Sequence, residues 1–329
     1  MNYLLMNQFK LSICLLTYNE PNDVKRILSS LASQINDNVE IIIRDDSEGI
    51  ETKIVVDEFK SIKNLTYIKG IKEGIDKTVS YLINVAKGEY VWWMGDDDIV
   101  ENGVETVLNV LNKHIELGFI WANYRSINGD VCCKNITGNR FFESLDEILI
   151  SVGSGIGFVS SCIINKALAK ESLKSSEIYI GTTFVNLFIV LYVITHSKRN
   201  YCISEVVVIN HPASISEIKE ITTRSPGIID NRAFEVFGIH YSNIISQFKE
   251  FFEYKNTLNK IISNSFATTW RGVLVGWVGG WDTPKGKRIL LIKTFWRIPE
   301  AWFAFTLFCL PKSLLTTLYY IYKKFNLKL

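Results

Sequence analysis

Four short apolar runs recur in the first hundred residues, at 11–16, 39–43, 65–68 and 90–94, and the stretches between them keep helical spacing. A nearly continuous apolar run of this length suits a strand covered on both faces. Pro21 opens the first intervening stretch, where Val24, Ile27, Leu28, Leu31 and Ile35 share one helical face. Residues 54–59, 77–86 and 101–114 read as further helices, and 119–124 as another strand. This alternation implies an α/β fold: a mainly parallel sheet with helices on both faces.

The pattern is less regular over 128–151, where Gly129-Asp130 and Gly138-Asn139 signal turns. Residues 155–165 then read as a strand, 184–195 as a buried helix and 201–210 as a strand; from 230 the pattern is helical. His211-Pro212 and Ser225-Pro226-Gly227 interrupt any regular element. The expected division is therefore a catalytic α/β domain over 1–225 and a helical region over 226–329.

An apolar content of 47% excludes a disordered chain. The net charge of +2 hides an asymmetry, because nine Lys/Arg and one acid, Glu300, lie between Lys285 and the C-terminus. Basic residues among large apolar side chains favour an anionic lipid surface over nucleic acid. Residues 301–310 are too few to cross a bilayer, and a span over 301–322 would hold Lys312 near its centre. The tail is expected to form two helices lying on the cytoplasmic face of the membrane, with Trp296, Trp302, Tyr319, Tyr320 and Tyr322 at headgroup level. A helical hairpin packed on the rest of the chain is the alternative. Trp270, Trp277 and Trp281, interleaved with glycines, either line a groove or serve close helix packing. The N-terminus lacks the pattern of a signal peptide, and the six cysteines show no metal-binding spacing, which fits a reduced, cytosolic setting. Cys14 and Cys162 lie in apolar runs and read as core residues.

The last of the early strands runs straight into Asp96-Asp97-Asp98. Three adjacent carboxylates repel one another unless a cation joins them. The C-terminal end of a strand is where open α/β sheets bind ligands. Hard oxygen donors there suit Mg²⁺ or Mn²⁺ bridging to a diphosphate. The plainer reading is a solvated acidic turn, with Asp98 capping the helix that starts near Asn102.

Thr17-Tyr18-Asn19 after the first strand, Asp45-Asp46-Ser47 after the second, and Ala86-Lys87-Gly88-Glu89-Tyr90-Val91 before the acidic triplet occur in that order. Together they resemble the family 2 glycosyltransferases of GT-A fold, over roughly residues 9–125. The resemblance implies a nucleotide-diphospho-sugar donor and a divalent metal, Mg²⁺ or Mn²⁺. It places Thr17, with Tyr18 and Asn19, at the nucleotide, Asp46 at the nucleobase and Asp96 at the donor ribose and sugar. It places Asp97 as the metal ligand, assisted by Asp98, and Lys77 or Lys72 at a basic contact to the nucleotide. Each of these also has a plain structural role available, as a turn former or a solvated helix-face lysine.

Inverting members of that family usually carry an acid in their second half, as the base that deprotonates the acceptor. Here Gly181-Thr182-Thr183 has none. Glu177 and His211 are the candidate bases, against a surface Glu and a turn His. This departure, with Gly157-Phe158-Val159-Ser160-Ser161 and Tyr179-Ile180-Gly181-Thr182, is similar to the abequosyltransferase-type subgroup of bacterial O-antigen enzymes. That likeness implies transfer of a 3,6-dideoxyhexose such as abequose from a CDP-sugar. With the tail, it points to a lipid-linked oligosaccharide acceptor and a peripheral enzyme on the inner face of the cytoplasmic membrane. A polyprenyl-phosphate sugar synthase and a catalytically silent nucleotide-sugar-binding scaffold are the competing readings.

Overall fold

The computed structural model describes residues 8–133, 136–210, 234–279 and 286–324. Strands β1 (Phe9–Thr17), β2 (Val39–Asp45), β3 (Leu65–Lys69) and β4 (Gly88–Gly95) alternate with helices α1 (Pro21–Leu31), α2 (Glu51–Asp57) and α3 (Ile75–Val85). Next come β5 (Asp98–Val100), α4 (Gly103–Lys113), β6 (Leu117–Ser126), β7 (Arg140–Phe142) and α5 (Leu145–Val152). β8 (Cys162–Asn165), α6 (Lys166–Ser176), α7 (Val185–His196) and β9 (Arg199–Asn210) complete the α/β part.

The sheet runs in the order β3-β2-β1-β4-β8-β6-β9-β5, with β7 paired to β9. β3, β2, β1 and β4 pair in parallel, as the β-α alternation requires. β8 runs antiparallel between β4 and β6, while β6 and β9 are parallel. The chain leaves β1 outward to β2 and β3, then returns to β4 on β1's other side. The strand order therefore reverses between β1 and β4, where open α/β sheets form a ligand crevice.

One face of the sheet carries Leu11, Ile13, Leu15, Trp92, Ile120 and Ile163, all fully buried with Val24, Ile27 and Leu28 of α1 and Val104 and Val107 of α4. Cys14 and Cys162 are buried core residues, as their apolar runs imply.

Three stretches differ from the sequence expectation. Residues 155–165 are not one strand: two short 3-10 turns, Gly153–Gly157 and Val159–Ser161, precede β8. The glycines there let backbone approach aromatic rings. A Cβ on Gly155 would lie 3.2 Å from Trp121 Cη2, and one on Gly157 3.0 Å from Phe184 Cε1. The irregular 128–151 stretch holds β7 and α5, and Ser144 caps α5 by accepting from Glu147 N at 3.2 Å. Ser144 and Glu147 have the spacing of a capping box. Finally, Asp98 caps no helix. It opens β5, which pairs with β9, while Asn102 precedes α4 in the left-handed region at φ 52°.

The chain divides into two compact units. One comprises Met1–Ser214 and Phe248–Tyr254, the other Ile215–Gln247 and Lys255–Leu329. The boundary expected at 225/226 lies outside the described residues. In the first unit, the Asp146 carboxylate accepts from Glu253 N at 2.9 Å and Tyr254 N at 3.3 Å, which ties the returning segment down. In the second, helices Lys255–Gly279, Lys287–Phe295 and Pro299–Cys309 pack Phe266, Trp270, Leu291, Phe295 and Phe308 into their own core. Trp270 is 1% exposed, so it serves helix packing rather than a groove; Trp281 lies outside the described residues.

Ile13 sits in register between Ile41 and Trp92 at the centre of the parallel strands. Ile13→Ala should cost about 2–5 kcal/mol, read as a lower urea midpoint. An unchanged midpoint would remove Ile13 from the core.

Candidate functional site

The crevice between β1 and β4 is lined by the residues that end these strands and β2. Thr17 ends β1 beside Asp45 of β2, and Leu16 stands opposite Gly95 of β4. Two loops are tied together there, because Ser47 Oγ accepts from Asn19 N at 2.7 Å and Thr17 O accepts from Asp46 N at 3.1 Å. Asn19 takes a left-handed conformation (φ 59°), and Tyr18 beside it is half-buried. Lys72 Nζ donates to the Tyr18 hydroxyl at 3.0 Å and lies 4.3 Å from the ring centroid. Thr17, Tyr18, Asn19 and Asp46 are thus brought to one place.

Asp46 is held from both sides. Its Oδ1 accepts from Arg44 Nε at 2.8 Å and its Oδ2 from Thr78 Oγ1 at 2.6 Å. Arg44 is itself buried, donates to Glu73 at 3.2 Å and stacks over Tyr81 at 4.3 Å. Gly70 permits this arrangement, since a Cβ there would fall 2.0 Å from Asp46 Oδ1. Next to it, Asp45 accepts from Tyr67 at 2.6 Å and pairs with Lys69 at 3.3 Å. Burial would raise the Asp45 carboxyl, but the Ser47 and Tyr67 hydrogen bonds and Lys69 outweigh it and hold it low. Lys77 is exposed and donates to Glu73 Oε1 at 3.1 Å.

In the acidic triplet, burial outweighs the groups that favour the charged form, Thr17 at Asp96 and Ser160, Asn210 and Arg26 at Asp98. Burial first, and then the charge of Asp97, push the Asp96 carboxyl well above the usual range. Part of its surface still meets solvent. Thr17 Oγ1 makes no hydrogen bond of full geometry, yet lies near enough to Asp96 to favour its charge. Asp98 is fully buried. Its Oδ1 accepts from Asn210 at 3.1 Å, while Oδ2 has no hydrogen-bond partner of full geometry among the described residues. Burial and the neighbouring Asp97 push its carboxyl up to about 7.

Gly95 is the hub of the triplet. Its N–H donates to Ser160 Oγ at 3.0 Å. A Cβ there would lie 2.8 Å from Asp97 Oδ1 and 3.3 Å from Asp98 Oδ2. Two carboxylate oxygens, with Ser160 Oγ beside them, therefore converge on one bare backbone position. That donor set fits a hard divalent cation completed by water and substrate oxygens. No group of three or more His, Cys, Asp or Glu arranged for a metal occurs among the described residues.

The structure does not gather every residue singled out by sequence. Glu177 lies exposed on a 3-10 turn, Glu177–Tyr179, and no described contact joins it to the triplet. His211 lies outside the described residues. Arg44, Gly70 and Thr78 also line the site and were not singled out as site residues by the sequence reading, while Ser160 was noted only within the Gly157–Ser161 motif. Of the first three, only Arg44 left a signal, as a charged residue inside an apolar strand.

A strand-order reversal with carboxylates at the strand ends defines an open α/β fold with a ligand crevice, and the comparisons with known proteins identify its kind. Residues 12–171 match the model of glycosyl transferase family 2, so the chain carries a domain of that family over just under half its length, with a GT-A fold. The chain is 27% identical over 150 residues to the UDP-Glc:alpha-D-GlcNAc-diphosphoundecaprenol beta-1,3-glucosyltransferase WfgD of Escherichia coli, covering 42% of this chain and 57% of that protein. It is 23% identical over 202 residues to the abequosyltransferase RfbV of Salmonella typhimurium, covering 56% and 60%. The chain thus spans less than two thirds of either relative. Among solved structures, S. aureus TarS 1–349 in complex with UDP-GlcNAc has a TM-score of 0.60 at 16% identity, covering 83% of this chain and 76% of that one.

Between the unfolded Asp value near 3.9 and about 7, folded Asp98 keeps a proton that the unfolded chain has lost. Its contribution to stability is therefore full below about 3.9 and is lost as pH rises towards and through about 7. In the presence of a chelator, Asp98→Asn should gain stability relative to wild type between pH 5 and 8, measured by urea unfolding. A pH-independent difference would mean that Asp98 does not titrate there.

Proposed function

We propose that this protein is a metal-dependent glycosyltransferase. It moves a sugar from a nucleotide-diphospho-sugar to a lipid-linked oligosaccharide acceptor in bacterial O-antigen or related surface-polysaccharide synthesis. The observation that carries this reading is the convergence of Asp97 and Asp98 on Gly95 at the β1–β4 crevice, beside the Thr17–Asn19 and Asp45–Ser47 loops. Names in the family support the donor class: WfgD uses a UDP-sugar and TarS is solved with UDP-GlcNAc. The RfbV match supports abequose, a 3,6-dideoxyhexose, as one candidate donor sugar, and we propose a CDP-sugar as its carrier.

In this reading the Tyr18 and Asp46 side orients the nucleoside, and Asp96 faces the donor ribose and sugar. Asp97 and Asp98 would hold Mg²⁺ or Mn²⁺, which supplies charge neutralisation of the departing diphosphate. Lys72 and Lys77 stand at the rim with their ammonium groups near Tyr18 and Glu73. Glu177 and His211 stay the candidates for the acceptor base.

The tail supports work at a membrane surface. No single helix among the described residues is long and apolar enough to cross a bilayer. Pro299–Cys309 with Lys312–Tyr320 reaches that length only as a pair bent by 114°. Trp296, Trp302, Phe303, Leu314, Leu318 and Tyr320 are 44–64% exposed, in a segment rich in Lys and Arg. Tyr319 is half-buried, and the Tyr322 side chain lies outside the described residues. Aromatics beside cations match the headgroup region of an anionic leaflet, here the inner face of the cytoplasmic membrane.

A thermal-shift screen with CDP, UDP, GDP and dTDP should show one nucleotide raising the melting temperature only with Mn²⁺ or Mg²⁺. Asp97→Ala should abolish that shift and sugar transfer while leaving the circular dichroism spectrum unchanged. An active Asp97→Ala enzyme would refute the metal assignment, and no shift with any nucleotide would favour a silent scaffold. The full chain should float with vesicles containing phosphatidylglycerol and not with phosphatidylcholine alone, and Trp302→Ser with Phe303→Ser should weaken flotation several-fold. Indifference to vesicle charge would defeat the membrane reading.

A further inference from the structure

Asp76 has no place in the donor-side cluster, yet it is 5% exposed and its carboxylate accepts from three backbone N–H groups. Gly181 N and Thr183 N reach Oδ2 at 2.7 and 2.9 Å, and Val185 N reaches Oδ1 at 3.1 Å. Such bonds to a carboxylate are stronger than those between neutral groups, so the turn before α7 is held firmly. The turn is strained. Gly181 has φ 93°, which glycine tolerates, but Thr183 has φ 65°, an outlier for a β-branched residue. Starting a helix does not require this, because residues before a first turn ordinarily stay in the extended region. Backbone strain that is firmly held concentrates at substrate sites.

The position of the turn says which substrate. Asp76 and Thr78 share the first turn of α3, and Thr78 Oγ1 donates to Asp46. On the other side Phe184 packs on Gly157, and Asn186 Nδ2 donates to Gly157 O at 3.1 Å. Three residues on, Ser160 Oγ accepts from Gly95 N beside the acidic triplet. These contacts form one chain from Asp46, through the strained turn, to Gly95 beside the acidic triplet, and in the proposed reading this chain edges the donor site. A donor bound between Asp46 and Asp97 would leave the Thr183 side of this edge open to the second substrate. The Thr183 hydroxyl donates to Thr182 O at 2.6 Å, so its oxygen still has lone pairs for an incoming hydroxyl.

We propose that Thr183 Oγ1 is an acceptor-binding contact that receives a hydrogen bond from a sugar hydroxyl of a diphosphate-linked acceptor. Asp76 is the positioning residue that holds Thr183 in its strained conformation. This rests on the glycosyltransferase reading above. Thr183 binds and selects in this scheme and takes no proton.

The test compares Thr183→Gly, Thr183→Ala, Thr183→Ser and Asp76→Asn in the full-length protein. The acceptor probe is N-acetylglucosamine α-linked through diphosphate to a short alkyl chain, and the donor is the nucleotide sugar that the wild type consumes. Thr183→Gly relieves the strain, so it should melt no lower than wild type, yet raise the acceptor KM about tenfold with the donor KM within about twofold. Thr183→Ala should show the same KM split, and Thr183→Ser should restore the acceptor KM. Asp76→Asn should raise the acceptor KM selectively even where it lowers the melting temperature. Wild-type acceptor KM in both Thr183→Gly and Thr183→Ala would overturn the contact, and parallel rises in both KM values for Asp76→Asn would make Asp76 merely structural. A wild type that hydrolyses the donor but ignores this probe overturns the acceptor class. One that consumes no nucleotide sugar overturns the transferase reading itself.

Discussion

Like charge crowded into a half-buried crevice is the constraint on which this molecule turns. Asp45 and Asp46 stand at the end of β2 and Asp96, Asp97 and Asp98 beyond the end of β4, on either side of β1, and within the triplet the Asp97 charge raises the cost of its neighbours. The fold answers unevenly. Asp45 and Asp46 have a lysine or arginine and a hydroxyl apiece, from Lys69 and Tyr67 and from Arg44 and Thr78. Asp98 has an amide on one oxygen and nothing of full geometry on the other. The part left uphill is the part to which the proposed reading assigns a divalent cation.

Other features serve this arrangement. Gly95 and Gly70 lack side chains where a Cβ would collide with Asp97 or Asp46. Ser160 fixes the Gly95 backbone, and the Trp92 indole donates to Ser160 O at 2.8 Å, so the buried sheet and the site loop support each other. The first turn of α3 carries both Thr78 and Asp76. It braces Asp46 with one residue and the strained Gly181–Thr183 turn with the other. The second unit keeps its own apolar core and leaves aromatic side chains facing outward among basic residues. Exposed tryptophan and phenylalanine are costly in water, and this is the surface on which the proposed membrane contact rests.

Local sequence determined much of the first unit. Apolar runs of four to six residues became β1 to β4, and Val24, Ile27, Leu28 and Leu31 form the buried face of α1. Both signals survive without knowledge of the partner, because burial on two faces or on one helical stripe dictates residue type directly. The acidic triplet drew attention as the point where an apolar strand stops, whereas Thr17 and Asp46 were singled out by their resemblance to a family pattern. The 153–161 segment misled, because its glycines answer to Trp121 and Phe184, rings distant in sequence. β5 escaped because a three-residue strand exists only through its pairing with β9.

Tertiary structure alone decided which carboxylates are offset and which are not. Nothing in Asp45-Asp46 or Asp96-Asp97-Asp98 tells that Arg44 turns back on Asp46, or that Asn210 reaches Asp98 across 112 positions. Nor does the sequence tell that Asp76 takes its three hydrogen bonds from residues 105 to 109 positions away. Hydropathy patterns record whether a residue is buried; they do not record direction. Hydrogen bonds and charge pairs depend on distances of a few ångströms between chain segments that only the folded sheet brings together.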